Sequence, residues 1–480
     1  MKILHVCSEV FPFLKTGGLA DVTGALPEAL TKLNTENKIL VPGFPAFMNG
    51  LANKKLVANL GSKFTAENIE IYSGKLGNVD AYVINAPELY DRVGNPYSDS
   101  SGAAYVDNYR RFALLSWTAA KMVNGADDTW HPDVVHGHDW HAGLMPAYIK
   151  AHAIHYGGKQ PKTVLTVHNL AYQGVFPAEI YHELELPQHF FGVDGMEFYG
   201  QVSFLKAGLF FADEITTVSP TYALEIQTEE QGCGLSGLLR ARHSQLSGVL
   251  NGVDPQVWSP EQDNTIATKY SKNKLDGKKA CRVALQKYTG LKLQDTSPIF
   301  VVVSRLTEQK GLHLVVEGIK TILERGGQIA ILGSGEEPIE SAFTHLAKQY
   351  PEHVAVQLGY DESHAHRLIA GGDVILVPSR FEPCGLTQLY GLAYGTLPLV
   401  HRVGGLRDTV TDTSLENLVD NIATGFVFNE FNVNDYNQAV KRAFALYSYS
   451  DGWSKVRSKG MSQSFSWDVA AEKYLEIYQR

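Results

Sequence analysis

Cysteine is scarce in this chain of 480 residues, which has only four. They stand far apart, and no two of them form a C-x-x-C pair. A disulfide framework needs an even set of cysteines at regular spacing, and a structural zinc site needs closely paired ligands. We therefore expect neither, and a reducing compartment is the default. The four residues are Cys7, Cys233, Cys281 and Cys384.

Long apolar runs and an excess of positive charge are also missing. No apolar run approaches the ~18 residues that a membrane-spanning helix requires. The apolar stretch Ile3–Cys7 ends at Ser8 and Glu9, too early for a signal peptide. The net charge of −9 excludes a generic basic nucleic-acid binder, although not a local basic cleft. We expect a cytoplasmic protein with no nucleic-acid and no membrane partner, although a mature organelle protein would look the same.

The chain does contain a regular alternation of short apolar runs and amphipathic stretches. With 44% apolar and 19% charged residues it is neither disordered nor fibrous. In the first half, a strand, a helix and a strand predict a βαβ unit, and three later strands end in polar residues. These segments are Lys2–Cys7, Leu19–Leu33 and Lys38–Val41, then Asp133–His136, Thr163–His168 and Glu214–Val218.

The second half repeats this alternation more regularly, which is typical of a doubly wound parallel sheet. One such sheet rarely uses 480 residues, so we predict an α/β protein with two Rossmann-like domains. They span residues 1–245 and 246–460, because Ser247–Pro260 is rich in Gly, Pro and Asn. A C-terminal helix at 461–480 follows the weakly patterned Ser450–Ser462 and could pack on either domain, preferably the first. The predicted strands are Pro298–Val303, Gln328–Leu332, Val354–Leu358, Asp373–Val377 and Leu397–Val400, and the predicted helices are Leu312–Arg325, Ile339–Tyr350, Ser363–Ala370 and Leu386–Tyr394.

Open α/β sheets bind ligands at the carboxyl ends of their strands, so polar residues beyond each strand are the first candidates. Lys15–Asp21 (KTGGLAD) lies between the first strand and its helix. Gly17 and Gly18 let backbone amides approach an anion, and Lys15 adds a cation. The spacing is not the G-x-G-x-x-G of dinucleotide sites. An anion- or sugar-binding turn and a plain strand-to-helix turn both fit it.

Two histidine-containing segments follow later strands of the first half. His136–His141 (HGHDWH) could form a metal site from His136, His138, Asp139 and His141, or it could line a sugar pocket. A two-metal site draws ligands from several segments, and no second cluster appears downstream, so the sugar pocket is favoured. In Thr166–Gly174, polar residues crowd beside His168, which is typical of a carbohydrate site rather than of a core.

Two strand ends of the second half carry residues suited to a diphosphate. Ser304–Gly311 (SRLTEQKG) places Arg305 and Lys310 around a strand-to-helix turn. Arg380–Leu389 (RFEPCGLTQL) offers the Glu382 carboxylate and then a glycine-containing turn at a helix start. A solvated turn is the alternative for each segment alone. Two phosphate-type sites on one sheet edge support each other.

Taken together, these segments resemble the bacterial and plant-plastid glycogen and starch synthases, which are retaining nucleotide-sugar transferases of the GT-B fold. The matching motifs occur in the family's order across roughly residues 1–430, and jointly they are highly specific. They are KTGGLAD (Lys15–Asp21), HDWHAG (His138–Gly143), TVHNLAYQG (Thr166–Gly174), LKAGL (Leu205–Leu209), VSPTY (Val218–Tyr222), NGVD (Asn251–Asp254), SRLTEQKG (Ser304–Gly311) and PSRFEPCGLTQLYG (Pro378–Gly391).

The resemblance implies transfer of glucose from ADP-glucose to the non-reducing end of an α-1,4-glucan such as glycogen, with retention at the anomeric carbon. Arg305 and Lys310 would hold the diphosphate and stabilise the charge on the leaving group. Lys15 and the Gly17-Gly18 loop would approach the donor from the first domain. The remaining donor-side candidates are Asp21, Cys384, Gly385, Leu386 and Thr387.

The resemblance also assigns the sugar side of a cleft between the two domains. Glu382 would lie near the glucosyl unit, and Asp139 and His168 would line the pocket. The His168 carbonyl would help to stabilise an oxocarbenium-like centre. Further cleft candidates are Tyr97, Asn169 and Asn251.

One departure concerns the E-x7-E pair of many retaining GT-B enzymes. Eight residues after Glu382 stands Tyr390, as in the synthase subgroup, so ribose binding by a second glutamate cannot be assumed. The chain also has no D-x-D motif. We therefore expect no cofactor and no metal, with Arg305, Lys310 and helix amides in place of a cation.

Two rival functions remain open at this stage. A sucrose or trehalose-phosphate synthase would share the fold and the Arg305–Lys310 pair, but rarely joins KTGGL to EPCGLT. A non-catalytic glucan-binding module would tolerate loss of Glu382, Arg305 or Lys310, and all three are present.

Overall fold

The computed structural model describes residues 1–156 and 160–480, and these residues divide into two compact units. The first unit comprises Met1–Gly252 together with Trp467–Arg480, and the second comprises Val253–Ser466. The first division falls seven residues after the predicted boundary at 245, because Leu246 still pairs with Ile215 as an edge strand of the first sheet.

The first unit is built on a nine-stranded sheet in the order β12-β11-β7-β6-β1-β2-β5-β4-β3. The seven strands from β12 to β5 are parallel, and β4 and β3 extend the sheet as an antiparallel edge. A separate antiparallel sheet has the order β8-β10-β9. The strands are β1 (Lys2–Val6), β2 (Glu36–Pro42), β3 (Ala52–Asn59), β4 (Glu70–Leu76), β5 (Val79–Asn85), β6 (Val134–His138), β7 (Lys162–Val167), β8 (Val175–Pro177), β9 (Glu197–Phe198), β10 (Gln201–Ser203), β11 (Glu214–Thr217) and β12 (Leu246–Gly248).

Helices cover this sheet by burying apolar residues at helical spacing. In α1 the residues Val22, Leu26 and Leu30 lie on one stripe and are fully buried. The described helices are α1 (Gly18–Thr31), α2 (Pro45–Gly50), α3 (Pro87–Tyr90), α4 (Asn108–Val123), α5 (Met145–Tyr156), α6 (Tyr181–Leu184), α7 (Phe204–Phe211), α8 (Pro220–Glu225) and α9 (Ser236–Ala241), with single 3-10 turns at Trp140–Ala142, Ala178–Ile180, Gln188–Phe190 and His243–Gln245.

The second unit is built on a six-stranded parallel sheet in the order β15-β14-β13-β16-β17-β18. Its central strands are apolar on both faces, since Phe300 and Val302 join one core cluster and Ile299 and Val301 the other. The predicted doubly wound α/β architecture is confirmed. The strands are β13 (Ile299–Val303), β14 (Gln328–Gly333), β15 (Val354–Leu358), β16 (Val374–Val377), β17 (Leu397–His401) and β18 (Phe426–Phe428).

One helix of the second unit forms in a segment whose sequence pattern only weakly predicts a helix. Ser450–Met461 forms a helix despite two glycines, because Trp453 and Val456 are buried in the unit's core. The helices are α10 (Asp276–Thr289), α11 (Leu312–Leu323), α12 (Glu337–Gln349), α13 (Glu362–Gly371), α14 (Thr387–Tyr394), α15 (Gly404–Thr409), α16 (Leu415–Val419), α17 (Val433–Tyr447) and α18 (Ser450–Met461).

The last helix, α19 (Trp467–Gln479), belongs to the first unit. It packs on α1, and Tyr478 hydrogen-bonds His136 of β6 over 2.7 Å. The helix begins six residues later than the predicted start at 461, because Met461–Ser466 still belongs to the second unit.

The strand orders determine where each unit can bind a ligand. In the first unit the order reverses between β6 and β1, and in the second between β13 and β16. Crevices at such switch points, at the carboxyl ends of the strands, are where open α/β sheets bind ligands. Among the described residues, none of the helices is long and apolar enough to cross a membrane.

Candidate functional site

The switch point of the second unit brings two predicted segments into contact. Because β13 and β16 pair directly, the turns that follow them lie side by side. Lys310 Nζ donates to Glu382 Oε2 over 2.6 Å, and Ser379 Oγ donates to the same oxygen over 2.8 Å. Glu382 is buried, while Lys310 is partly exposed. The result is a fixed lysine–carboxylate pair at the end of the sheet.

Further contacts link these two turns to each other. The Arg380 amide donates to the Gln309 carbonyl over 2.9 Å, and Arg380 Nη2 pairs with Glu308 Oε1 at 2.8 Å. Arg305 is exposed and bonds only the neutral Gln309 Oε1, at 3.2 Å, among the contacts described for it. Its charge is therefore not neutralised by a carboxylate there. A guanidinium and an ammonium at one strand edge suit a ligand with two phosphates.

The turn after Glu382 is held by its own side chains. Gln388 Nε2 donates to the carbonyls of Cys384 and Gly385 at 3.1 and 2.9 Å. Gly385 has a φ of 71°, a left-handed conformation that glycine adopts without strain. This conformation starts α14 at Thr387, with Leu386 as the capping residue. The four predicted residues Cys384–Thr387 thus form one rigid turn beside Glu382.

Tyr390, at the position of the missing second glutamate, belongs to an aromatic stack. The Trp258 ring lies 3.8 Å from the Tyr390 ring and 3.9 Å from the His366 ring, with interplanar angles of 6° and 9°. His366 Nδ1 bonds Asp263 Oδ2 at 2.6 Å, and the Tyr394 hydroxyl donates to the same oxygen at 2.7 Å. This stack holds α14 in place, so Tyr390 stabilises the helix that begins at the candidate site.

Loss of the His366 charge is expected to destabilise the second unit at high pH. Burial lowers the pKa of His366, but the Asp263 and Glu362 carboxylates outweigh burial and raise it from 6.5 to about 9. A raised folded-state pKa gives stability that is complete below 6.5 and is lost as the pH rises through 9. Urea unfolding at pH 7 and 9.5 should show a drop in wild type that is smaller in H366Q. An equal drop in both proteins would contradict this assignment.

In the first unit, Asp139 and His168 come together at the ends of β6 and β7. The His168 amide donates to Asp139 Oδ1 over 2.7 Å. Asp139 has φ 57° and ψ −172°, a strained conformation that is almost confined to glycine. Burial raises its pKa to about 7, although the amides of His168 and Asn169 counteract that shift. Strain and a perturbed carboxylate at a strand end are typical of a functional site.

The Lys15–Asp21 loop is organised by a residue that the sequence analysis did not single out. Glu9 is buried and accepts hydrogen bonds from the Thr16 amide at 2.6 Å and the Thr16 hydroxyl at 2.5 Å. Lys15 Nζ pairs with Asp21 Oδ1 at 2.9 Å. A glutamate eight residues before Gly17 carries no motif of its own, so only the fold could reveal its role.

No steric constraint within the protein requires a glycine at position 17 or 18. A Cβ added at either position would meet nothing within 4 Å. Gly17 has an extended backbone, with φ −156° and ψ −165°. An exposed pair of glycines that the fold does not require is consistent with a ligand that approaches the backbone closely.

Tyr97 links this loop to the histidine cluster. Its hydroxyl donates to Glu9 Oε1 and accepts from Ser8 Oγ at 2.9 Å. Its ring stacks on His141, with centroids 4.6 Å apart. Asn169, by contrast, uses its side chain to accept from the Ala171 amide. The last predicted residue, Asn251, has no described contact with the other candidates, and its buried Oδ1 has no partner among the described residues.

The structure changes the set of residues that could form the predicted metal site. The one metal-compatible group among the described residues is His5, His136 and His138, without Asp139 or His141. Both nitrogens of His136 are already engaged, by the Tyr478 hydroxyl at 2.7 Å and by Thr166 Oγ1 at 2.6 Å. The donor set is therefore poor for a metal ion, which needs free ligand lone pairs.

Two family models match the chain, one for each part. The model of the starch synthase catalytic domain matches residues 2–241, and the model of glycosyl transferases group 1 matches residues 289–456.

Similar proteins cover the whole chain. A protein named glycogen synthase from Francisella tularensis subsp. novicida (strain U112) is 60% identical over 482 residues, covering 100% of this chain and 99% of the relative. One from Francisella philomiragia is 60% identical over 483 residues, with 100% of both chains covered. The catalytic domain of starch synthase IV from Arabidopsis thaliana, solved bound to ADP and acarbose, has a TM-score of 0.89 at 30% identity and covers 100% of this chain, which covers 99% of it.

Proposed function

The chain belongs to the glycogen and starch synthase family of GT-B glycosyltransferases, and on that basis we propose that it transfers glucose from ADP-glucose to the non-reducing end of an α-1,4-glucan. The observation that carries the proposal is the Lys310–Glu382 pair beside Arg305 at the switch point of the second sheet. The anomeric configuration of the transferred glucose is retained.

The second unit would bind the nucleotide diphosphate. Arg305 and Lys310 supply two positive charges, and the turn at Gly385 presents backbone amides at the start of α14. As the bond from glucose to the diphosphate breaks, negative charge grows on the leaving oxygen. Cations that are already held in place stabilise this charge without reorganising, which lowers the barrier. Glu382 holds the Lys310 ammonium in position.

The first unit would hold the glucosyl group. The His168 carbonyl follows the end of β7, and the Asn169 amide of the same peptide group hydrogen-bonds Asp139, so this peptide is fixed in orientation. A carbonyl oxygen directed at the anomeric carbon would stabilise the positive charge of an oxocarbenium-like transition state. Lys15 and the open Gly17-Gly18 loop would contact the donor.

ADP-glucose is proposed as the donor for two reasons. The family resemblance of the motifs implies it, and the Arabidopsis starch synthase IV structure, 30% identical to this chain, was solved with ADP. Glycogen is the proposed acceptor, because the 60% identical relatives carry the name glycogen synthase. No nucleic acid and no membrane enters the proposal.

The experiment that tests the function compares donors and products. Purified protein is incubated with glycogen and either ADP-[14C]glucose or UDP-[14C]glucose, and precipitated glucan is counted. We expect label in the glucan with ADP-glucose, released by an enzyme that cleaves α-1,4 bonds from non-reducing ends. Label in a soluble disaccharide phosphate, or none in glucan with either donor, would refute the proposal.

Activity is expected to survive removal of divalent metal ions. The charge that a metal would supply would come from Arg305, Lys310 and the amides of α14, and in the histidine group of the first unit both nitrogens of His136 are engaged. Turnover after EDTA treatment and desalting should equal that of untreated protein. Activity that falls on chelation and returns with one added divalent ion would contradict this expectation.

A further inference from the structure

A buried glutamine on α14 contacts the backbone of the turn that precedes this helix, and the proposed mechanism gives it no role. Gln388 is fully buried. Its Nε2 donates to the carbonyls of Cys384 and Gly385 at 3.1 and 2.9 Å, and it lies 3.2 Å from Thr409 Oγ1. Three acceptors therefore surround a group that carries only two hydrogens.

The orientation of this carboxamide is determined by its neighbours. The Thr409 hydroxyl donates its own hydrogen to the Gly405 carbonyl over 2.6 Å, so its oxygen can only accept from Gln388. Carbonyl oxygens also only accept, and a flipped carboxamide would place Oε1 against three acceptors. Nε2 must therefore face the turn. Gln388 Oε1 is buried and has no partner among the described residues.

The stability of the helix does not explain this arrangement. A buried acceptor without a hydrogen bond costs free energy, and an apolar side chain of the same length would avoid that cost. The carboxamide also requires a glycine opposite to it, because a Cβ at Gly385 would lie 2.4 Å from Gln388 Oε1. These two requirements indicate that the carboxamide serves the geometry of the turn.

The two carbonyls determine the direction of the amides that follow them. In a planar trans peptide group, the C=O and the next N–H point in opposite directions. Because the carbonyls of Cys384 and Gly385 face Gln388, the amides of Gly385 and Leu386 face away from it. Gln388 lies on the buried side of the turn, whereas Gly385 and Leu386 are partly exposed. Both amides therefore face the open side.

These amides are available to a ligand. Within residues 1–156 and 160–480, no acceptor is described for the amides of Gly385 and Leu386. Consecutive N–H groups that face one side carry a partial positive charge and suit an anion. The same turn contains Glu382, which holds the Lys310 ammonium. An anion at this turn would thus meet two oriented amides and a cation.

A second helix holds the first part of the same turn. The Gly405 amide of α15 donates to the carbonyls of Glu382 and Pro383 at 3.2 and 3.1 Å. Through Thr409, which is the last residue of α15, this helix also contacts Gln388. The turn is therefore held by α15 at its start and by the carboxamide of Gln388 at its end.

We propose that Gln388 is a positioning residue, which directs the Gly385 and Leu386 amides toward the phosphate that bears glucose in the nucleotide sugar. This role rests on the proposed function. When the bond from glucose to this phosphate breaks, the amides stabilise the growing negative charge together with Lys310. They do so without reorganising, because the carboxamide orients their peptide groups before the substrate binds.

The test compares the binding of ADP and AMP to wild type and to Q388M by calorimetry. Methionine fills the space of glutamine but cannot donate to the turn. The terminal phosphate of ADP is the one that bears glucose in the donor, and AMP lacks it. We expect Kd for ADP to rise about 10-fold, as for a lost hydrogen bond to a charged group, and Kd for AMP to change less than about 2-fold. Equal increases for both nucleotides, or no increase for ADP, would overturn the proposal.

Gln328 provides the matched control for a loss of buried hydrogen bonds. It is fully buried in the same unit, and its Nε2 donates to the carbonyls of Lys292 and Glu352 at 2.7 and 3.1 Å. It begins β14, so it lies at the edge of the sheet opposite to the candidate site. Q328M should bind ADP and AMP as wild type does. A loss of ADP affinity as large as that of Q388M would refute a specific role of Gln388.

A second measurement on the wild-type chain does not depend on the folding of Q388M. Protein labelled with 15N at leucine is examined by 1H–15N correlation, and the Leu386 amide signal is identified by its loss in L386M. ADP should shift this amide proton downfield, because a hydrogen bond to a charged phosphate is strong, and AMP should not. An unchanged Leu386 signal at saturating ADP would overturn the proposal.

Turnover distinguishes positioning from a general structural role. In Q388M, kcat at saturating ADP-glucose should fall about 10-fold, because the lost stabilisation acts on the leaving group, with KM for glycogen unchanged. Q328M should keep the wild-type kcat. An increase of KM for glycogen in Q388M without a change in kcat would contradict the proposed role.

The two proposals can fail separately. ADP affinity and the Leu386 signal are measured without glucan, whereas the function is measured by label in glucan. The expected loss of ADP affinity in Q388M, in a protein that labels no glucan, would refute only the proposed function. Normal glucan labelling by Q388M with unchanged ADP affinity would refute only the role of Gln388. A wild-type protein that binds no ADP would contradict both.

Discussion

Replacement of Lys310 by alanine is expected to lower kcat by at least ~10²-fold, the scale on which one preorganised donor to a developing negative charge contributes. The ammonium lies 2.6 Å from Glu382 Oε2 at the switch point of the second sheet, where the diphosphate is proposed to bind. Loss of that charge leaves the leaving group less stabilised in the transition state. R305A should lose activity on the same scale, because the Arg305 guanidinium faces no carboxylate in its described contacts.

The loss in K310A has two separable causes. Lys310 supplies charge to the substrate, but its removal also leaves the buried Glu382 carboxylate without its cation. The double variant K310A/E382Q removes the stranded charge. If E382Q alone keeps more activity than K310A, and the double variant remains as low as K310A, the missing ammonium is the cause.

A matched control uses a lysine on the helix that follows the same turn. Lys320 is exposed near the end of α11, and K320A should keep wild-type kcat. Both variants are compared at saturating ADP-glucose and glycogen, with the unfolding midpoint measured in parallel. Turnover within a factor of two of wild type in K310A would refute the assignment of the donor site.

Replacement of Gly311 by alanine is expected to destabilise the second unit by roughly 2–4 kcal/mol and to abolish most activity. A Cβ at this position would lie 1.9 Å from the Pro378 carbonyl oxygen, and the glycine has a left-handed φ of 70°. The backbone must therefore shift. The shift separates the turn that carries Lys310 from the turn that carries Glu382, so the 2.6 Å contact between them is lost.

Gly290 provides the control that isolates the clash. It has a similar φ of 78°, but a Cβ there would meet nothing within 4 Å. G290A should lower the free energy of unfolding by only ~1 kcal/mol, the cost of an alanine in the left-handed conformation. It should leave kcat unchanged. The comparison uses urea unfolding and turnover on glycogen. If G311A is no less stable than G290A, the close approach of the two turns does not restrict position 311 to glycine.

Much of the candidate site could be predicted because its residues follow strands in short, dense motifs. Arg305 and Lys310 lie in one turn, and Asp139 and His168 each end a predicted strand, so the carboxyl-edge rule locates them. Glu9 could not be found this way. Its role depends on Thr16 and Gly17 folding back onto it, and nothing in the spacing of the sequence signals that contact.

The fold shows the same division between local and long-range information. The predicted strands of the second half coincide with observed strands to within two residues, since continuous apolar runs have to be buried from both faces. The segment Ser450–Met461 has a weak sequence pattern, because its two glycines oppose helix formation locally. Burial of Trp453 in the core outweighs that cost, and burial is a tertiary effect.

The sequence by itself determined the α/β class, the strand–helix alternation and the motifs that place the chain in its family, because periodicity and short motifs are properties of neighbouring residues. The tertiary structure decided which distant residues touch. It paired Lys310 with Glu382, brought His138 beside His168, and returned the last helix to the first unit. The physical reason is that strand order and burial bring together groups whose separation along the chain carries no local signal.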